Sequence, residues 1–204
     1  MEAGEQTESG PSADRAERII EAMRASVAEV GIAGSTFERV AAKAGVSRGL
    51  LHYYFGTKER LLIEVIRRDT EERIESLRAA LEQASSVDEI IIAFSAAFAR
   101  TTITEQGYAY LVSEVFIAGR NKPEVQAALA ELYERGRTSL AEVLRAKERE
   151  GILKLRLKAE AILAFLFSAG DGAVIQRIVA PDRDFHDADE ASWRVARFLL
   201  DARA

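Results

Sequence analysis

The segment STFERVAAKAGVSRGLLHYYFGTK, Ser35 to Lys58, decides how the rest of the chain is read. Ser35 with Glu38 has the S-x-x-E spacing of a capping box, so a short helix is expected to open at Thr36 and run through Ala44. Gly45 supplies a tight turn. Ser47 then caps a second helix that runs to Tyr53 or Tyr54, and Thr57 caps another whose Leu61, Leu62, Val65 and Ile66 face inward. Val40, Ala41, Val46, Leu51 and Phe55 are spaced to hold the two short helices at a fixed angle, with Ala41 small enough for close approach. The segment therefore reads as helix, glycine turn, helix.

Helical spacing continues on both sides. Upstream, Ile19, Ile20, Met23, Val27 and Val30 mark one buried face of a helix that begins near Ser12 or Asp14 and is stopped by Gly31. Residues 1–12 before it are polar and acidic, lack the charged-then-apolar order of a signal peptide, and are expected to form a disordered tail. Downstream, Ser86 with Glu89 makes a capping box for a helix to about Thr102, and Gly107 precedes a helix from Tyr108 to Ala118. Pro123 sits in the first turn of a helix that reaches Gly151. Lys158 to Val179 follows, and a last helix spans about Asp189 to Ala202. With no strand-like alternation, the fold class is all-α: a three-helix helix-turn-helix domain over 13–58 and a larger helical domain over 59–204.

Composition excludes several functions. The chain of 204 residues has no cysteine, so thiolate chemistry and disulfides are absent. Its two histidines fall on the second short helix (His52) and in a polar loop (His186), and there is no glycine-rich phosphate loop or serine elbow. The expectation is a protein that is not an enzyme and has no metal or cofactor. The apolar stretch Ala161 to Ala169 falls short of the roughly 20 residues of a membrane span, so no membrane role and a cytoplasmic location are expected. Net charge is -5, but it is segregated: between Ala13 and Arg60 eight cations outnumber six carboxylates, leaving the remainder strongly acidic. Such a basic head turns toward a polyanion while the acidic body stays off it.

The free face of the second short helix carries Arg48, Gly49, His52 and Tyr53, where a recognition helix presents residues to base edges in the major groove. Arg48 has the fork for a bidentate contact to guanine. Thr36, Ser47, Tyr54 and Lys58 supply the hydroxyls and amine that suit phosphate oxygens, with Ser35 spending its hydroxyl on capping.

Val40-Ala41, Ala44-Gly45-Val46-Ser47, Gly49, Tyr54-Phe55 and Lys58 resemble the signature of the TetR family of transcriptional regulators, a likeness covering about Ala13 to Leu62. It implies base contacts from Arg48, Gly49 and His52, base or backbone contact from Tyr53, and backbone contacts from Thr36, Tyr54 and Lys58. His52 departs from the family, which usually has tyrosine there, so operator preference does not transfer. The resemblance also implies a variable helical body that dimerises, usually through its last two helices, and encloses an effector. Ala161 to Ile175 is apolar nearly all round, in keeping with a helix buried on both sides, and Phe167, Asp171, Val174, Val195, Phe198 and Leu199 are the expected dimer residues. Phe94, Phe98, Thr102, Tyr108, Leu111, Phe116, Tyr133 and Phe165 are expected to line a mainly apolar chamber. The function implied is a dimeric repressor of a palindromic operator in double-stranded DNA, released by a small hydrophobic or amphipathic effector. The alternative is a DNA-binding regulator or helical dimer controlled by a protein partner.

Overall fold

In the computed structural model, which describes residues 11–101, 106–201 and 203 and only the backbone at 11, 12, 106, 107, 109, 110 and 118, Thr36 rather than Ser35 opens the second helix. Residues 1–10 of the expected tail and Thr102 of the expected chamber lie outside the described residues. The chain divides into two compact units after Ile66.

In the first unit, α1 (Pro11–Gly34) starts two residues inside the expected tail and buries Ile19, Ile20, Met23 and Val27. Gly31 breaks its geometry at φ 70°, ψ 175°, in the region that favours glycine. Val30, expected in the buried face, is 42% exposed; it lies beside Gly34, whose added Cβ would come within 2.9 Å of it. The kink also moves the cap. Ser35 is fully buried and donates its hydroxyl to the Gly31 carbonyl at 2.8 Å, so the 2.9 Å contact with Ser26 is Ser26 donating to Ser35. Thr36 accepts instead from the Arg39 amide at 3.2 Å and caps α2 (Phe37–Ala44). Gly45 turns the chain in the left-handed region (φ 66°, ψ 38°), and the Val46 amide returns to the Ala41 carbonyl at 3.0 Å. Then comes α3 (Arg48–Phe55), with Ser47 at its N-cap position but making no side-chain capping bond. Val40, Ala41 and Leu51 are buried between these helices.

Thr57 caps α4 (Lys58–Gln83), accepting from the Arg60 amide at 3.2 Å. Leu61, Leu62, Val65 and Ile66 are all buried, which carries the first unit eight residues past the expected boundary at 58.

The second unit contains the rest of α4, then α5 (Val87–Ala99), α6 (Gln106–Gly119), α7 (Pro123–Arg149), α8 (Ala159–Val179) and α9 (His186–Leu200). Among the described residues there are nine helices, and the only β feature is a single bridge between Lys154 and Asp201. The fold is all-helical. Leu77, Leu81, Ile90, Leu140, Leu144, Ile162, Leu163 and Leu200 form its core. Ser86 caps α5 as expected, though Glu89 reaches back to the Ser85 amide at 2.6 Å, one residue earlier than a strict capping box. Lys147, almost fully buried, donates to the Glu82 carbonyl at 2.7 Å and neutralises the C-terminal end of α4. By length and composition α8 is the one described helix apolar enough to cross a membrane, longer than the stretch from Ala161 to Ala169 had implied. Ile162 and Leu163 anchor it in the core, and Asp171 and Arg177 interrupt it.

Candidate nucleic-acid interface and effector site

The outer surface of α3 is built by what lies under it. With Leu51 fully buried, Arg48, Gly49, His52 and Tyr53 are all exposed, Tyr53 by 81%. Arg48 forms an ion pair with Glu38 of α2. Gly49 has only the Ser47 hydroxyl near where a Cβ would stand, at 3.9 Å, so the backbone here is open to close approach. His52 stacks edge-on against Phe37, ring centroids 4.8 Å apart, and donates Nδ1–H to the Gly56 carbonyl at 3.1 Å. That bond selects the tautomer in which Nε2 is the acceptor. The exocyclic amines of adenine or cytosine are its complement in a major groove.

The residues expected at phosphates divide in two. Ser47 keeps its hydroxyl out of any cap bond. Thr36 spends one acceptor on its cap, and Lys58 donates to the Ile32 carbonyl at 2.9 Å, tying the start of α4 to the end of α1. Tyr54 is half-buried and rests between Tyr53 and Phe55, at 5.3 and 6.2 Å. Thr36, Tyr54 and Lys58 therefore have structural duties that the sequence reading did not assign. Glu29 of α1 holds Arg39 at 2.7 Å and Lys43 at 2.6 Å, and these hydrogen bonds pull its carboxyl below the usual range, that of Lys43 most.

The seven described residues of the eight expected to line one chamber separate in the second unit. Phe94 and Leu111 are buried core. Phe98 meets Trp193 edge-on at 5.7 Å and lies under the Arg177 guanidinium, which grips Asp189 through two 2.7 Å contacts. Phe165 is 44% exposed, on the outer face of α8, and does not line a chamber with the others. Tyr108, Phe116 and Tyr133 do share a neighbourhood. Tyr133 lies 6.1 Å from both Phe116 and Phe167 and donates to Asp171 at 2.7 Å. Tyr108 shares a 2.9 Å hydrogen bond with Thr70 beneath the Arg73 guanidinium, 3.9 Å from its ring centroid. Burial pushes both tyrosine hydroxyls up, with the Asp171 charge adding to the rise at Tyr133, and burial also raises Asp171 against the opposing pull of its Tyr133 hydrogen bond.

One expected dimer residue thus turns inward, Phe167 packing over Gly136, while Asp171 stays exposed and accepts from Tyr133. Leu199 also packs on the core, and Val174 is half-buried. The reason is helical phase, since Phe165 and Phe167 project about 200° apart on α8. Val195 and Phe198 stay exposed. Sequence reasoning missed Thr70 and Arg73. Thr70 falls on the stripe Ile66, Thr70, Ile74, Leu77, Leu81, where a hydroxyl inside an apolar run was the available signal.

Residues 19–65 match the family model described as bacterial regulatory proteins, tetR family. The chain is 37% identical over 93 residues to HTH-type transcriptional regulator BetI 2 of Chromohalobacter salexigens, a match covering 44% of this chain and 45% of that relative. A putative TetR-family transcriptional regulator from Mesorhizobium loti superposes with TM-score 0.77 at 20% identity, covering 91% of this chain and 96% of its own. Over residues 19–65 the helix-turn-helix is of the TetR type. FadR from Bacillus subtilis, solved in complex with stearoyl-CoA, shares the fold at TM-score 0.71 and 19% identity, covering 88% and 96% of the two chains. The chain matches less than half the length of that curated relative, and the family model falls within α1 to α4. The body shares the TetR fold with the solved structures at identities that carry the architecture and no more.

Proposed function

We propose that the chain is a transcriptional repressor that binds a palindromic operator in double-stranded DNA as a homodimer and is released by a small, mainly apolar or amphipathic effector. The observation that carries the reading is the outward face of α3: a guanidinium, a bare glycine, an imidazole acceptor and a phenol on one exposed surface of a helix-turn-helix. Arg48 contacts a base edge, and His52 and Tyr53 complete the readout. Ser47 and Thr36 contact phosphates. With DNA as its partner, the protein works in the cytoplasm.

The dimer reading is supported by α8 and α9. Ala161, Phe165, Ser168, Ile175 and Val179 are exposed at spacings of four, three, seven and four, the seam of a helical bundle, and Val195 and Phe198 form a matching pair on α9. An exposed apolar seam of this regularity fits a second copy of the same two helices. The effector reading is supported by the aromatic and polar cluster of Tyr108, Phe116, Tyr133, Phe167 and Asp171, and by the amphipathic ligand in the Bacillus subtilis relative's structure. The mechanism is a population shift: two recognition helices about 34 Å apart read one face of B-DNA, and an effector favouring another separation withdraws the dimer in proportion to its differential affinity.

The test is selection of binding sites from random duplexes by the purified protein, followed by binding across a salt series for the native chain and Arg48→Ala. An operator that binds far more tightly than scrambled DNA, with Arg48→Ala losing about 1–3 kcal/mol at one position of each half-site, supports the reading. Recovery of no operator by a demonstrably dimeric protein overturns it.

A further inference from the structure

We propose that Glu38 is a specificity-setting residue of the DNA-contacting face, acting on Arg48 from both sides of the cognate and non-cognate choice. This rests on the DNA-binding reading above. Arg48 is the first residue of α3, where the helix dipole disfavours a cation, and Glu38 is in the first turn of α2, where it favours an acid. The two are joined directly, Arg48 Nη1 to Glu38 Oε1, while both side chains stay more than half exposed. Such a pair adds little to stability, so its consequence is to be sought at the surface it occupies. That surface is the one bearing Gly49, His52 and Tyr53. Another acid bridge of this domain, Glu29 with Arg39 and Lys43, links α1 to α2 and involves none of those residues.

The guanidinium has five N–H donors, and Glu38 takes them from one edge, leaving others for the O6 and N7 acceptors of guanine. A side chain already held in one rotamer loses less freedom on making that contact. On a sequence without those acceptors, an unrestrained Arg48 would swing to a phosphate. Held by Glu38 it does so less. Glu38 therefore supports the cognate contact and penalises the non-cognate one.

The experiment uses the full chain and the operator selected above, with a scrambled duplex of equal length. Affinity for both is measured across a salt series for the native protein, Glu38→Gln, Glu38→Ala, Arg48→Ala and the double variant Glu38→Ala/Arg48→Ala, with melting temperature as the folding control. Glu38→Ala is expected to bind scrambled DNA more tightly, lower the operator-to-scrambled ratio about tenfold, and steepen the scrambled-DNA salt slope by about one phosphate. Glu38→Gln, which keeps a hydrogen bond and loses the charge, falls between. In the Arg48→Ala background, Glu38→Ala leaves the ratio unchanged. An unaltered ratio in Glu38→Ala overturns the proposal while leaving the DNA-binding reading intact, as does an equal fall in both backgrounds, which would make Glu38 act without Arg48. Failure of the native protein to select any operator overturns both.

Discussion

In the α2–α3 domain the exposed face is polar and the covered face apolar, whereas α8 is apolar on its covered face and largely apolar on its exposed one. Arg48, His52 and Tyr53 look outward above a buried Leu51. On α8, Phe165, Ile175 and Val179 look outward, Val179 by 78%, while Asp171 of the same helix reaches Tyr133 within its own unit. The two surfaces are complementary to different partners. A charged, hydrogen-bonding face suits a polyanion whose contacts are read one donor at a time. An apolar stripe at heptad-like spacing suits a copy of itself, where burial of area is the driving term. Asp171, partly desolvated beside Tyr133, carries a cost that apolar packing would not.

The largest effect should come from putting a charge on the apolar stripe. Phe165→Asp or Phe198→Asp is expected to raise the dimer dissociation constant by more than about 100-fold, or about 2.7 kcal/mol, as read by sedimentation equilibrium. A dimer of unchanged strength would break the contrast between the two faces. Gly45→Ala forces a side chain into a left-handed turn at φ 66° and should cost about 1–2 kcal/mol in urea unfolding, with a matching loss of DNA affinity as α3 loses its angle to α2. Ser26→Ala removes the donor to Ser35 beneath the α1 kink and should cost about 1 kcal/mol. The smallest effect belongs to Asp171. Its carboxyl is raised by burial, so the folded state takes up the proton more readily than the unfolded chain and holds the charged form at a cost. Asp171→Asn should raise the melting temperature by about 1–2 °C at pH 7, a gain that shrinks as pH falls through the raised pKa and the native carboxyl protonates. A constant gain at every pH would place the effect in packing and not in charge.

Much of the first domain was legible because its determinants are local. Gly45, Thr57 and the spacing of Val40, Ala41 and Leu51 act within a few residues of themselves, and caps and turns obey short-range geometry. The cap at Ser35 was misread for a nonlocal reason: the Gly31 kink brings Ser35 against Ser26, nine residues away, and the buried hydroxyl pair takes precedence over the helix end. Lys58 is the same case, its ammonium caught by a carbonyl 26 residues upstream. In the body, helix number and approximate extent were readable from caps, Pro123 and apolar periodicity, since a helix closes its own hydrogen bonds. Which side of α8 faced inward was not, because an almost uniformly apolar helix has no polar stripe to define a phase.

The sequence by itself determined the helical class, the helix-turn-helix and the identity of the side chains on its outer face, all set by neighbours within a turn or two. Only the tertiary structure decided that Phe167 turns inward while Phe165 stays outside, that Asp171 accepts from Tyr133, that Thr70 joins Tyr108, and that Arg48 is held by Glu38. Those pairings depend on how separate helices pack, and burial and ion pairing act between residues that the chain order leaves far apart.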